Sequence, residues 1–158
     1  MNKEIRFGSL ASMFLGVAAL SLAALPAAHA DHDDIKAYPS TAVEGLPYSG
    51  VVKAGDTVYV GGVLGTAPGT KKLVSGGIGP ETRQAFNHVK DMLKLAGTDM
   101  EHAVKCVVLL ANINDFPAMN EVYREFFPKN PPTRSTIIVP EIPMGAAVEV
   151  ECNAYVGD

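Results

Sequence analysis

Near the C-terminal end of the chain, "TRSTIIVPEIPMGAAVEVECNA" carries Arg134 at the mouth of an apolar run and Glu149 and Glu151 two residues apart beyond it. These residue types can share one reaction. A planar guanidinium grips a small carboxylate through two parallel hydrogen bonds. A carboxylate close to the bound molecule can move a proton to or from water or from the reacting carbon. Water attack on an iminium carbon needs an oriented substrate and one proton-transfer group, with no metal or organic cofactor. The bland alternative is an ion pair between Arg134 and Glu149 or Glu151 across neighbouring strands, an ordinary surface arrangement of small energy.

The elements that must hold these residues are legible in the periodicity. Strands are predicted over 134–139 and 146–156. In the second, Val148, Val150, Cys152, Ala154 and Val156 point one way while Glu149, Glu151, Asn153 and Tyr155 point the other. One face packs; the other is polar, with Ile138 expected beside the glutamates. Upstream, "VVKAGDTVYVGG" reads as a hairpin over 51–62, and the glycine-rich 65–79 stretch reads as a loop. Ala85, Val89, Met92, Leu93 and Ala96 recur at helical spacing over 81–96, with Gly97 placed to end the helix. "AVKCVVLLAN" is so continuously apolar that it reads as a central strand covered on both faces. A second helix follows, capped by Asn114 or Asp115, with Met119, Val122, Tyr123 and Phe126 on one stripe. This order predicts an α+β domain, a mixed sheet with both helices on one face. The other face needs water or a partner.

The 158 residues suit one domain, and a net charge of −4 without a basic stripe argues against nucleic acid as a partner. Residues 1–30 read as a cleavable signal peptide: Lys3 and Arg6, an apolar run from Leu10 to Leu25, then Ala28-His29-Ala30, with the cut expected after Ala30. The mature protein is then expected to be periplasmic or secreted, with no membrane attachment after cleavage. Residues 31–45 read as an N-terminal tail ahead of a domain over 46–158. "DHDD" at its start is a solvated, charge-rich terminus, since no further ligand is placed to hold a metal. Cys106 and Cys152 read most simply as small buried hydrophobes; a disulfide between them is the alternative in an oxidising compartment.

Four segments together resemble the RidA (YjgF-like) family of reactive-intermediate deaminases: "LPYSGVVKAGDTVYVGG", "TRQAFNHVKDMLKLAG", "VKCVVLLANINDFPAMNEVYREFF" and "TRSTIIVPEIPMGAAVEVECNA". The ordered set carries the resemblance rather than any tetrapeptide. It implies chorismate-mutase-like α+β subunits in a homotrimer, sheets toward the centre, with clefts between adjacent subunits. It further implies cofactor-free hydrolysis of small enamino or imino acids, such as 2-aminoacrylate, to the keto acid and ammonia. By position, Arg134 matches the carboxylate-binding arginine and Glu149 the glutamate that assists water attack or proton transfer. Tyr48 matches a pocket tyrosine, Asn120 a helix asparagine near the cleft, and Gly62 a glycine of the pocket wall. The chain departs from the pattern at Gly61-Gly62-Val63, where Ser-Gly-Gln is common, at Gly50 in place of glutamine, and at Thr136 in place of cysteine. Each cleft is expected to combine Arg134 and Glu149 of one chain with the loop around Tyr48 of its neighbour. A non-catalytic trimer that binds small acids or acts like a chaperone is the alternative function; a ribonuclease is disfavoured by the acidic balance.

Overall fold

A computed structural model describes residues 34–157, so the leader, its cleavage point and most of "DHDD" lie outside the described residues. Six strands form one sheet: β1 (Ile35–Tyr38), β2 (Val51–Ala54), β3 (Thr57–Leu64), β4 (Ala103–Leu110), β5 (Thr133–Ile138) and β6 (Val148–Tyr155). Their spatial order is β1-β2-β3-β6-β4-β5, antiparallel throughout except for the parallel β4–β5 pair. Helices α1 (Ile78–Leu95) and α2 (Phe116–Phe126) complete the α+β domain. Within the segment 31–45 expected as a tail, the described residues 34–45 are not simply a tail, because Ile35–Tyr38 pairs with Val51–Ala54 and Ala42 is buried in the core. "IKAY" lacks an apolar face of its own, so only its partner strand reveals it.

The amphipathic periods work out as physical chemistry requires. Ala85, Phe86, Val89, Met92 and Leu93 of α1 press onto Val58, Val60, Val108, Val148 and Val150 of the sheet, all buried. Helix α1 ends as the sequence predicts. Gly97 takes a φ of +88°, and Thr98 and Gly97 donate to Leu93 and Lys94 carbonyls at 3.0 and 3.1 Å, closing the last turn. Phe86 stands at the α1–α2 junction, with the rings of Tyr123, Phe126 and Phe127 at 5.4, 5.1 and 5.7 Å.

Three local expectations change. Strand β4 is internal but covered on one face alone: Cys106, Val108 and Leu110 are buried, whereas Lys105 is exposed and Val107 and Leu109 are half-buried. The cap ahead of α2 is Asn112, whose side chain accepts from Asn114 N at 3.0 Å and starts a short 3-10 turn. Asp115 makes no side-chain cap bond. Cys106 and Cys152 stand opposite each other on β4 and β6 and form a disulfide, the second of the two readings.

Candidate active site

Strand parity decides what the charged residues can reach. Arg134 pairs in register with buried Cys106, so it lies on the face that carries the helices. Glu149 alternates with buried Val148 and Val150 and pairs with Leu109 and Leu64, so it lies on the opposite face. Strand β4 also separates β5 from β6. The ion pair between Arg134 and Glu149 or Glu151 is therefore ruled out within one chain, because the residues occupy different faces of strands that are not neighbours. The same parity places Ile137, not Ile138, on the glutamate face. The expectation that one chain supplies Arg134 and Glu149 to the same cleft fails for the same reason.

Arg134 is held by apolar groups of α2. Its guanidinium carbon lies 4.5 Å from the Tyr123 ring centre and 5.6 Å from that of Phe116, and Nη1 is 3.8 Å from Met119 Sδ. Among the described residues it has no carboxylate partner. Aromatic faces attract and orient a guanidinium without neutralising it, which leaves the charge available to an anion. Asn120 lines the same hollow as Arg134 and Tyr123. Thr136, on the Arg134 side of β5, has a buried hydroxyl without a partner among the described residues, and so does Tyr123. Burial raises the Tyr123 phenol above its ordinary range, and the Arg134 charge partly opposes that.

Glu149 is built in a different way. The β3–β6 register slips between Val60 and Val63, and Gly61 and Gly62 occupy the irregularity. A Cβ on Gly62 would lie within 1.9 Å of Glu149 Oε1 and 3.0 Å of its Cδ. The glycine is thus what lets the carboxylate lie flat against β3. Half-buried there, Glu149 is held above the usual carboxylate range, first by desolvation and then by the Glu151 charge beside it. Tyr48, 57% exposed on the 39–50 connection, lines one cavity together with Gly62. The structure thus brings together Arg134, Asn120 and Thr136 on one side, and Glu149, Gly62 and Tyr48 on the other.

Three contributors escape the sequence reading. Tyr123 and Met119 were assigned to the core stripe; the spacing of 116, 119 and 123 on one helical face is the signal that they also meet a common neighbour. Buried Glu81 in the first turn of α1 accepts from Ala147 N at 2.8 Å, fixing the chain one residue before β6 begins. A glutamate in a helical first turn carries no sequence mark that distinguishes this role.

Residues 40–156 match the family described as Endoribonuclease L-PSP. The chain belongs to this family. It is 41% identical over 111 residues to the human 2-iminobutanoate/2-iminopropanoate deaminase, a span of 70% of this chain and 81% of that one. Among solved structures of the L-PSP family, RidA from an Antarctic Psychrobacter superposes with a TM-score of 0.71 at 32% identity, covering 76% of this chain and 98% of that one. Escherichia coli TdcF with bound serine gives 0.71 at 27% identity, covering 77% and 98%. The fold is the RidA-like α+β arrangement that the sequence resemblance implies.

Proposed function

We propose that the protein hydrolyses small enamino and imino acids to the corresponding keto acid and ammonia, without a cofactor. The observation that carries this reading is the caged Arg134 guanidinium, a fixed charge with no carboxylate partner among the described residues. Support comes from the relatives named 2-iminobutanoate/2-iminopropanoate deaminase and from the amino-acid ligand of the TdcF structure. Arg134 binds the substrate carboxylate, with Asn120 and Thr136 beside it. Tyr48 and Gly62 form the opposite wall.

An enamine is first protonated at its terminal carbon to give the iminium. As water adds to the C=N carbon, the Glu149 carboxylate takes a proton from it. The proton returns to nitrogen, the C–N bond breaks, and the remaining hydroxyl loses its proton to leave keto acid and ammonia. Its raised pKa makes the Glu149 carboxylate the stronger base toward that water. Because Arg134 and Glu149 lie on opposite faces, the site is completed between copies of the chain, which we propose close into a homotrimer with equivalent clefts. The half-buried Val107 and Leu109 and the exposed Tyr59 and Ile137 of the uncovered sheet face support such an arrangement. Export to the periplasm or medium is part of the proposal, supported by the leader pattern and the Cys106–Cys152 bond.

The test is ammonia release from enzymatically generated 2-aminoacrylate, which wild type accelerates and Arg134→Ala does not. Equal rates for the two proteins would remove Arg134 from the mechanism. Calorimetric binding of keto acids without turnover of any imine would leave the chain a small-acid-binding protein.

A further inference from the structure

Glu149 meets the β3 irregularity only if the start of β6 stands at the right height beside the end of β3. There Leu64 pairs with Glu149 and Val63 with Val150. The two strand ends converge on one residue of α1. Glu81, buried in the first helical turn, accepts a hydrogen bond from Ala147 N at 2.8 Å, two residues before Glu149. The backbone of the same residue packs against Gly65, three residues after Gly62: a Cβ at Gly65 would lie 2.6 Å from the Glu81 Cα and 2.8 Å from its carbonyl carbon.

The connection into β6 needs such a tie. Over the 3-10 turn Pro143–Gly145, Met144 takes a φ of +64° and Gly145 one of +71°. A left-handed backbone is unfavourable for a side chain as bulky as methionine's, and it persists only where the surroundings over-determine it. Buried Ile142 anchors one end of the turn and buried Ala146 the other. Ala147 is then held by both of its backbone polar groups, the N–H by Glu81 and the carbonyl by Ala111 N at 3.1 Å. Without the Glu81 acceptor the turn loses one restraint against relaxing, and Glu149 is the functional residue it carries along.

We propose that Glu81 is a positioning residue for the reaction: by holding the end of β3 and the start of β6 in step, it keeps the Glu149 carboxylate against Gly62. The proposal rests on the deaminase reading above and extends it to a residue that touches no substrate. Glu81 belongs to α1, on the helix side of the sheet, and Glu149 lies on the opposite face. The effect therefore passes through the backbone of residues 147–149 and not through a contact between the two carboxylates. What the position requires is an acceptor at a fixed reach. Glutamate and glutamine share it; aspartate, one methylene shorter, lacks it.

Two variants separate reach from charge: Glu81→Gln keeps the acceptor and removes the charge, whereas Glu81→Asp keeps the charge and withdraws the acceptor. Gly65→Ala, which pushes the Glu81 backbone away from β3 with its side chain intact, gives an independent route. Each protein is measured by thermal unfolding, by kcat for enzymatically generated 2-aminoacrylate, by calorimetric affinity for pyruvate, and by carbon-13 titration of the Glu149 carboxyl, assigned by its loss in Glu149→Gln. Glu81→Gln is expected to match wild type in kcat and titration. In Glu81→Asp and Gly65→Ala, kcat is expected to fall about 10-fold or more through misplaced Glu149. Pyruvate affinity is expected to be unchanged, since Arg134 and its cage stand on β5 and α2. Partial burial and Glu151 hold the wild-type Glu149 titration above the usual carboxylate range. It is expected to move down as the carboxylate leaves the strand and regains water.

A folded Glu81→Asp or Gly65→Ala protein with wild-type kcat and an unmoved Glu149 titration would overturn the proposal, even if its unfolding temperature fell, because that is the signature of a merely structural glutamate. Glu81→Gln as impaired as Glu81→Asp would overturn it too, by assigning the charge instead. If wild type turns over no imine, the deaminase reading fails, and the Glu149 titration still decides whether Glu81 places that carboxylate.

Discussion

The two halves of the proposed site lie on opposite faces of one sheet and solve opposite problems. On the helix side, Arg134 has to keep its charge while being held still, and the rings of Tyr123 and Phe116 with Met119 do this without a neutralising carboxylate. On the uncovered side, Glu149 has to be made reluctant to ionise, and a glycine irregularity in β3 lets it press into a half-buried position beside Glu151. One half adds large side chains around a cation. The other removes them beside an anion. The contrast teaches that the half proposed to bind is fixed by packing, whereas the half proposed to transfer protons is tuned by partial loss of water.

Several substitutions break or sharpen this contrast. Glu149→Gln is expected to lower kcat by about 10²–10⁴, the usual contribution of a positioned acid–base group, while leaving KM nearly unchanged. Arg134→Ala is expected to lower kcat/KM by about 10²-fold through KM and through lost orientation, measured with the same imines. Gly62→Ala retains both charged residues but displaces the Glu149 carboxylate; a loss of about 10-fold or more in kcat is expected. Tyr123→Leu is expected to raise KM by roughly 3–30-fold by removing the aromatic face, and Tyr123→Phe to restore it. Equal effects of Leu and Phe would assign the phenol hydroxyl rather than the ring.

The smallest effect concerns pH. Glu151 raises the pKa of Glu149, so Glu151→Gln is expected to lower it. The limb of the kcat/KM profile that requires ionised Glu149 then moves to lower pH, and only part of the elevation is removed because desolvation is the larger cause. The limb should be absent from Glu149→Gln. A shift to higher pH would contradict the assignment.

Much of this is legible in the sequence alone. The alternation of Val148, Val150 and Cys152 with Glu149 and Glu151 fixes the inner and outer faces of β6, because the strand period is two and one face is fully apolar. Helix α1 is equally plain, with its stripe and its terminal Gly97. What stayed hidden depends on register between distant segments. Nothing in "TRSTII" tells that β4 inserts between β5 and β6, and this insertion, with the parity of Arg134, is what abolishes the expected ion pair. Likewise β1 is visible only through β2, and the near contact of Gly62 with Glu149 arises from a pairing slip that spans most of the chain. The cage around Arg134 was half visible. Its members are on the apolar stripe of α2, but a stripe alone does not distinguish core packing from support of a guanidinium.

The central claim is that Arg134 and Glu149 act together only when supplied by different copies of the chain. Mixing Arg134→Ala with Glu149→Gln protein, each inactive alone, and allowing subunits to exchange tests it directly. Random mixing in a closed ring is predicted to restore about one quarter of wild-type activity, since a cleft works whenever an intact arginine meets an intact glutamate from the next copy. No recovery, with subunit exchange confirmed by mass-tagged chains, would contradict the account and place both residues in a site made by a single chain.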